Sequence, residues 1–401
     1  MANFIGSLNS NEFYNSLYNA YRLVMTYADN LSGLDNTLAN RYRADGGMYH
    51  DQSVYTDMDI PFSLVWNPDD TNVLKPEFKV EPVQQKITVN KFRQIGLYTD
   101  EYLSKRAWMD ASSYDQFRSV VQKQITEAKK VYEQKLVDTY VGSIGSQTVE
   151  LTLPTDDNAE AQNRLQSMAI AKEIGDLMVS LKDSSRNYNN NGFLKSFNES
   201  DFDIIWNADY YNKIRYTDLP TIFHTEDLLK NGHVLPAHYF GSALTSSQSS
   251  KPATANGQIA AEEYFIPVDA TGAYAAPASA AKAVHVFPGD ILPTGTILKQ
   301  ATSTTADPHT DMSISVVFNK SDTRTMTVPL ATSCRAFNVN SKVICKIVHK
   351  DAIKYLSSFE TQTEFWNPKN LSSNRYLTWA FAYPEVLNGY PCITIIDKDE
   401  A

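Results

Sequence analysis

Three acidic or imidazole side chains alternate in one short segment, and their spacing could bind a metal ion. Asp307, His309 and Asp311 lie in the sequence ADPHTDMS. Alternate residues of a β-strand share one face, so these side chains could offer oxygen and nitrogen ligands to a divalent cation. A polar turn before a hairpin has the same composition and needs no metal. We favour the turn and predict no metal site.

A pair of histidines and a pair of aspartates raise the same question. His233 and His238 bracket the residues VLPA, and Pro236 prevents one smooth helical face on which both could bind zinc. Asp57 and Asp59 could act as a carboxylate pair in acid–base catalysis, but acidic residues are also common where a strand begins. We predict that neither pair does chemistry.

The usual catalytic and cofactor-binding motifs do not occur in this sequence. It contains no nucleophile elbow, phosphate-binding loop, dinucleotide-binding glycine pattern, paired zinc cysteines, HExxH helix or calcium loop. Cys345 lies within an apolar strand pattern and is expected to pack in a core. The sequence therefore predicts no enzyme, no catalytic residue, no cofactor and no metal.

Composition narrows the remaining classes of protein. The formal net charge of −10 argues against a surface that grips phosphates, although it does not exclude DNA nearby. Hydrophobic residues make up 42% of the 401 residues, which is enough for real cores. The three cysteines have no metal-like spacing, and no disulfide framework is expected. No stretch approaches the roughly 18 apolar residues of a membrane span, so we expect no membrane association.

One long helix must organise much of the structure. Apolar residues recur at three- and four-residue steps from Ser113 to Gly142, which predicts a helix of about eight turns with a single apolar stripe. Such a helix lies across a surface, whereas a heptad coiled coil would need a longer seam. The stripe residues expected to make this contact are Phe117, Val121, Ile125 and Tyr132.

Two further patterns precede and follow this helix. In residues 58–98, apolar and polar residues alternate on both sides of a turn, which predicts an extended two-stranded ribbon. Because isolated ribbons are only marginally stable, this ribbon needs a partner surface. The ribbon residues assigned to this contact are Phe78, Val80, Ile87 and Val89. Residues 161–183 predict a second amphipathic helix, and FDIIWN predicts a buried strand followed by Asn207 as the cap of a short helix.

The rest of the chain is dominated by strand patterns. Residues 1–57 predict an arm with a helix at 11–40, and 261–332 predict a small β-rich module with a hairpin around Asn319–Asp322. SKVICKIVHKDAIKYLSS predicts a strand followed by a short helix, and strands are predicted at FETQTEFWNP, RYLTWAF and PCITIID. Trp379 and Phe381 share one face and are expected to pack in a sheet, although aromatic residues are also enriched at subunit contacts.

This order of elements resembles the major capsid proteins of tailed bacteriophages, which have the Hong Kong 97-type fold. KITVNKFRQIGLYTDEYLSKRAWMDASSYDQFRSVVQKQI resembles the ribbon running into the spine helix, and FDIIWNADYYNKI resembles the strand and helix of the axial domain. FETQTEFWNPKNLSSNRYLTWAFAYPEVLNGYPCITII resembles the peripheral-domain return and the last axial strand. This ending, with WNP before an aromatic strand, is most similar to the capsid proteins of small short-tailed phages.

The resemblance implies an α+β fold with six segments. These are an N-terminal arm (1–57), an extended hairpin loop (58–98), a peripheral domain with the spine helix (99–150), an axial domain (151–350) with a β-rich insertion (261–332), a peripheral return (351–385) and a last axial strand (386–401). The residues of the Lys–Asn isopeptide cross-link found in some members cannot be matched, so no cross-link is predicted.

The resemblance also implies a function and partners. Copies of the chain are expected to form hexamers and pentamers that close into an icosahedral head around double-stranded DNA, packaged without sequence specificity. A scaffolding protein, a portal and head-fibre or decoration proteins are the expected partners, and assembly is expected in the host cytoplasm. The alternatives are an encapsulin-like compartment, an adhesin or carbohydrate-binding β-protein that binds through 261–332 and, as the weakest, an enzyme.

Overall fold

The computed structural model describes residues 37–61, 79–100, 111–145, 147–215, 232–255, 257–303, 305–318, 323–369 and 371–398; of residues 100 and 111–122, only the backbone is described. The helices are α1 (Leu38–Arg41), α2 (Ala111–Ser143), α3 (Ala159–Lys182) and α4 (Ala208–Arg215). The strands are β1 (Arg43–Asp45), β2 (Gln52–Asp57), β3 (Val83–Thr88), β4 (Lys91–Asp100), β5 (Gln147–Leu151), β6 (Phe202–Asn207), β7 (Gly232–Leu235), β8 (Gly241–Ala243), β9 (Gln258–Ala260), β10 (Tyr264–Val268), β11 (Lys282–Val286), β12 (Leu298–Gln300), β13 (His309–Val317), β14 (Thr323–Ala331), β15 (Cys334–Val339), β16 (Val343–His349), β17 (Ile353–Asn367), β18 (Ser372–Phe381), β19 (Glu385–Val386) and β20 (Cys392–Asp397).

The chain divides into two compact units. The first contains Met1–Gln52, Thr88–Gln134 and Tyr355–Tyr383, and the second contains Ser53–Ile87, Lys135–Lys354 and Pro384–Ala401. Helix α2 contributes residues to both units. In the part of the chain described above, no helix combines the length and apolar character needed to cross a membrane.

The first unit is built on the sheet β1-β17-β18-β4. Strands β17, β18 and β4 are antiparallel neighbours, and β4 pairs with β18 along its whole length. Trp379 and Phe381 alternate along β18 and are almost fully buried. Both rings lie 6.0 Å from the ring of Tyr132, which α2 supplies, so aromatic packing joins the helix to this sheet.

The second unit contains the sheet β5-β20-β16-β6-β7. All six residues of β6 are buried, as expected for a strand covered on both faces. Ile170, Ile174 and Leu181 of α3 pack in the same core as strand residues Ile204 and Ile347. The Asn207 side chain accepts a hydrogen bond from the Asp209 backbone N–H at 3.1 Å, which caps α4 as predicted.

A closed barrel of β10, β11, β13 and β14 also belongs to the second unit, beside a sheet of β12, β15, β8 and β9. Strands β13 and β14 pair antiparallel from His309↔Ala331 to Val317↔Thr323, which confirms the predicted hairpin strands. The turn itself, residues 319–322, lies outside the described residues. The β-rich character expected for 261–332 is therefore present in the structure.

Two of the predicted elements have different bounds or types. The prediction of a short helix after β16 is wrong. Residues 353–358 belong to the long strand β17, which pairs with β1 and β19. The ribbon strands that pair are Gln52–Asp57 and Val83–Thr88, whereas Lys91–Asp100 belongs to the first unit's sheet. The predicted N-terminal helix lies outside the described residues except for α1.

Candidate functional site

The two strands of the ribbon β2–β3 end in a network of ionic and polar contacts. Lys195 donates from its ammonium to both carboxylate oxygens of Asp57 at 2.8 Å and to the Gly389 carbonyl at 2.8 Å. Asn191 donates to the same carboxylate at 2.7 Å. Asp57 ends strand β2, so these contacts fix the C-terminal end of the strand to other residues of the second unit.

Asp59 adds a second ionic contact two residues later. Its carboxylate accepts from the Arg186 guanidinium at 2.5 Å and from the Leu194 backbone N–H at 3.0 Å. The Leu194 hydrogen bond, followed by that of Arg186, lowers the pKa of Asp59. Asp57 and Asp59, considered above as a catalytic pair, therefore act as two separate anchors, each with its own cation.

The second ribbon strand has polar anchors of its own. Gln85 donates from its side chain to the Val386 carbonyl at 2.7 Å and accepts from the Asn388 backbone N–H at 2.9 Å. A cleft of about 240 Å³ lies at this root, lined by polar residues including Lys354 and Tyr390. We call this set of contacts, made by Asp57, Asp59 and Gln85, the ribbon root.

A buried ionic cluster joins α2 to the sheet of the first unit. Glu133 accepts from the Tyr355 hydroxyl at 3.0 Å and from the Arg43 guanidinium. Lys129, one turn earlier, donates to Glu360 of β17 at 2.6 Å and lies 3.7 Å from Glu133. Burial, together with the negative charge of Glu133, raises the pKa of Tyr355 well above its usual value. The cluster fixes the helix to β1 and β17 through charge.

The C-terminal end of α2 is anchored in the second unit. Lys346, in the middle of β16, is 1% exposed and donates to the Ile144 carbonyl, just beyond the helix end, at 2.9 Å. Burial lowers the pKa of Lys346 to about 8. Gly142 leaves no room for a side chain, because a Cβ there would lie 2.2 Å from the Tyr239 carbonyl oxygen. Lys135 pairs with Asp290 at 3.0 Å.

Asp307, considered above as a metal ligand, lies beside a buried arginine. Asp307 accepts from the Tyr264 hydroxyl at 2.7 Å and lies 3.3 Å from the Arg335 guanidinium, while His309 and Asp311 are exposed. A positive neighbour disfavours a bound cation, so Asp307 is better explained as part of a buried ion pair.

The remaining titratable candidates do not converge. His238 is exposed on a short turn, and its neighbour Tyr239 is buried. Cys345 is a buried free thiol whose pKa is raised by burial, which opposes reactivity. Across the described ranges, no three His, Cys, Asp or Glu side chains form a group that could hold a metal ion.

Large apolar side chains remain exposed on both units. In the first unit they include Tyr49, Phe92, Tyr98, Phe359 and Phe365. In the second unit, the ribbon and its flanks expose Val54, Met58, Ile60, Val80 and Val83. Exposed apolar surface of this extent is typical of contacts with other chains.

Comparison with known families identifies the class of protein. Residues 8–381 match the family model for the Phi29-like phage major capsid protein. The chain belongs to this family. It is a structural capsid protein that assembles into the capsid shell, and it is part of the virion. None of the curated protein sequences matches the capsid protein.

Solved structures show the fold of the capsid protein. The capsid structure of Staphylococcus phage Andhra matches with a TM-score of 0.56 and 12% identity, over 91% of this chain and 86% of that one. A structure described as head fiber and inner core protein gp22 of native bacteriophage P68 matches with a TM-score of 0.52 and 10% identity, over 90% of this chain and 84% of that one. The capsid protein thus has the mixed α+β, Hong Kong 97-type fold that the sequence predicted.

The structure places the predicted contact residues in different surroundings. Ile125, Tyr132, Ile87, Val89, Trp379 and Phe381 are buried, and Val80 is 51% exposed. Phe78 and the side chains of Phe117 and Val121 lie outside the described residues. Their roles in assembly remain predictions.

Sequence reasoning did not find the charged residues that fix the ribbon and the helix. Lys129 and Glu133 are four residues apart, a spacing that indicates a helical ion pair. Their partners on β1 and β17 are far away in sequence, and no local pattern indicates them.

Proposed function

We propose that this capsid protein forms hexamers and pentamers that close into an icosahedral head around double-stranded DNA. The family match over residues 8–381 is the observation that carries the proposal. The acidic net charge fits a wall that encloses DNA without gripping it. Membership of a structural capsid family favours a non-enzymatic role and gives no support to the compartment or adhesin alternatives.

Each segment has a proposed part in that shell. Residues 99–150 and 351–385 form the peripheral domain, with α2 as its spine, and 151–350 with 386–401 form the axial domain. The ribbon within 58–98 lies over a neighbouring copy, and the arm 1–57 runs along another. The exposed apolar residues of the ribbon support this, since a lattice supplies the partner that a two-stranded ribbon needs.

Accessory proteins complete the proposal. A separate scaffolding protein guides assembly in the host cytoplasm, a portal occupies one vertex, and head-fibre or decoration proteins bind outside. The β-rich module 261–332 is the proposed place for a surface or lattice contact. Its barrel of β10, β11, β13 and β14 is separate from the sheet β5-β20-β16-β6-β7.

Electron microscopy of the expressed protein tests the proposal. Residues 1–401 are produced alone and with a candidate scaffolding protein, and both preparations are imaged in negative stain. Closed or tubular lattices of hexameric units are expected. A stable monomer in both preparations would contradict the proposal and direct attention to 261–332 as a binding module.

Deleting residues 67–76 tests the proposed role of the ribbon. The deletion is expected to leave the subunit folded, with an unchanged thermal transition, and to reduce the yield of shells. Wild-type protein prepared in parallel is the control. Shells formed at wild-type yield would show that the ribbon does not carry an essential contact.

A further inference from the structure

Helix α3 carries a second apolar stripe on the side opposite its core contacts. On the core side, Ile170 and Ile174 are almost fully buried. On the opposite side, Val179 is 72% exposed, Leu165 is 41% exposed and Met168 is 39% exposed. A helix that is apolar on both sides is expected to be covered on both sides.

The exposed stripe has the spacing of a seam between two packed helices. Its positions follow one another at alternating steps of four and three residues: Ala161, Leu165, Met168, Lys172, Gly175 and Val179. This spacing allows two helices to pack side by side over about 27 Å. A Cβ at Gly175 would have no atom within 4 Å, so the seam has open space there. The matching helix therefore brings a large residue to Gly175 and a small residue to Lys172.

The sequence of the N-terminal arm contains a second seam of the same length. Residues 13–31 lie outside the described part of the structure, and their apolar spacing predicts a helix. The same alternating steps of four and three residues connect Phe13, Leu17, Ala20, Val24, Tyr27 and Leu31. Both seams span 19 residues, 13–31 and 161–179, so each position of one can face a position of the other.

An antiparallel arrangement of the two seams places large residues against small ones. The facing pairs are then Phe13 with Val179, Leu17 with Gly175, Ala20 with Lys172, Val24 with Met168, Tyr27 with Leu165 and Leu31 with Ala161. Leu17 fills the space beside Gly175, and Ala20 leaves room for the aliphatic stem of Lys172. A parallel arrangement would instead place the branched side chain of Val24 against Lys172.

Charge disfavours a second copy of α3 as the covering helix. Lys172 lies near the middle of the seam, so an antiparallel pair of α3 helices would place the two Lys172 ammonium groups about one helical turn apart. Like charges this close in a covered seam repel each other. The seam positions of the arm carry no charge.

We propose that residues 13–31 of a second copy of the capsid protein bind as an antiparallel helix on the outer stripe of α3. The proposal rests on the proposed function, in which the arm runs along another copy, and it states which surface of that copy the arm binds. The contact joins two different surfaces, so each copy can give its arm to one neighbour and receive an arm from another.

Disulfide trapping tests the pairing between copies. Protein with Leu17→Cys and protein with Gly175→Cys are mixed, assembled into shells and treated with a mild oxidant. The three native cysteines are buried, and each chain carries one new thiol, so a disulfide between the two substituted positions must join two copies. Facing seam positions are close enough for this bond, and a linked dimer is expected on a non-reducing gel.

A shift of one residue provides the control. Tyr18→Cys in place of Leu17→Cys turns the thiol by about 100° around the helix and should give about tenfold less dimer. Shells with no dimer, or with equal dimer from Tyr18→Cys, would overturn this contact and leave the capsid function intact. A bond that forms only within the Leu17→Cys/Gly175→Cys double variant would show that a second copy is not the occupant.

Charged substitutions in the seam test whether assembly depends on it. Met168→Glu and Val179→Glu should leave the thermal transition of the free subunit unchanged, because both positions are exposed. Each should lower the yield of shells by about tenfold or more, because the arm would bury a carboxylate that has no partner. Ile291→Glu, at a 50% exposed position of the same unit outside α3, is the control and should assemble normally. Equal yields from seam and control variants would overturn the contact, whereas a wild type that stays monomeric would overturn both the contact and the proposed function.

Discussion

Asp57 and Lys195 are 138 residues apart in sequence, and the ammonium lies 2.8 Å from each carboxylate oxygen. Both side chains are about four-fifths buried, at 25% and 19% exposed. The pair holds the C-terminal end of β2, and Arg186 with Asp59 repeats the arrangement two residues later. The ribbon therefore has a fixed base, which supports the proposed contact of its exposed surface with another copy.

Replacing Lys195 by methionine is expected to loosen the ribbon root. Among the described residues, the change leaves Asp57 with Asn191 as its side-chain donor. It should weaken the local structure by about 1–2 kcal/mol, because the pair is charged but partly exposed. Limited proteolysis under native conditions should cut faster between residues 58 and 82, and shell yield should fall.

A lysine of the same cleft provides the matched control for this change. Lys354 bonds to Asp351 at 2.8 Å, and Lys354→Met removes a cation without removing a ribbon contact. Its cleavage rate should match that of the wild type. Equal rates in both variants would show that the Asp57 pair does not hold the ribbon.

Removing Glu133 is expected to destabilise the first unit far more than removing its tyrosine partner. Glu133→Ala leaves Arg43 and Lys129 without their shared carboxylate, which should cost about 3–5 kcal/mol, whereas Tyr355→Phe removes one hydrogen bond and should cost about 1 kcal/mol. Urea denaturation of the free subunit measures both. Similar losses would mean that the cluster is not governed by the charge of Glu133.

The same tyrosine predicts how stability changes in alkali. The folded-state pKa of Tyr355 is raised, so its contribution is complete below the unfolded value of 10 and is lost as the pH rises above it. The free energy of unfolding of the wild type, measured relative to Tyr355→Phe, should therefore decrease above pH 10. A constant difference across that range would show that Tyr355 ionises normally in the folded protein.

Lys346 predicts a pH dependence of the opposite sign. Its pKa falls from 10.5 to about 8 on folding, so the unfolded state binds more protons between these values and stability rises with pH. Relative to Lys346→Met, the wild type should gain on the order of 3 kcal/mol across this window. Lys342→Met, at the half-buried position just before β16, is measured beside it as the control variant. Denaturation at pH 7, 8, 9 and 10 measures the free energy of unfolding of the wild type and of Lys346→Met. If the two free energies change in parallel with pH, the pKa of Lys346 is not lowered by burial.

The sequence predicted elements that depend on local pattern and missed those that depend on distant partners. The long helix was predicted at Ser113–Gly142 and observed at Ala111–Ser143, because its apolar stripe and glycines are local signals. The helix predicted near Ile353 is a strand, since pairing with β1 and β19 decides its conformation. Asp57 was considered for acid–base catalysis because its cationic partner, Lys195, lies 138 residues away and no local pattern indicates it.

Two glycines in helices are expected to respond oppositely to alanine. In Gly142→Ala, the new Cβ would lie 2.2 Å from the Tyr239 carbonyl oxygen, and backbone must shift, so a loss of about 1–3 kcal/mol is expected. Gly175 of α3 has no atom within 4 Å of the same position, and Gly175→Ala should gain up to about 1 kcal/mol from helix propensity. Urea denaturation of the two variants beside the wild type gives both signs. If Gly142→Ala is as stable as Gly175→Ala, the end of α2 does not pack against Tyr239, and the anchor proposed for the spine helix would have to rest on Lys346 and Lys135 alone.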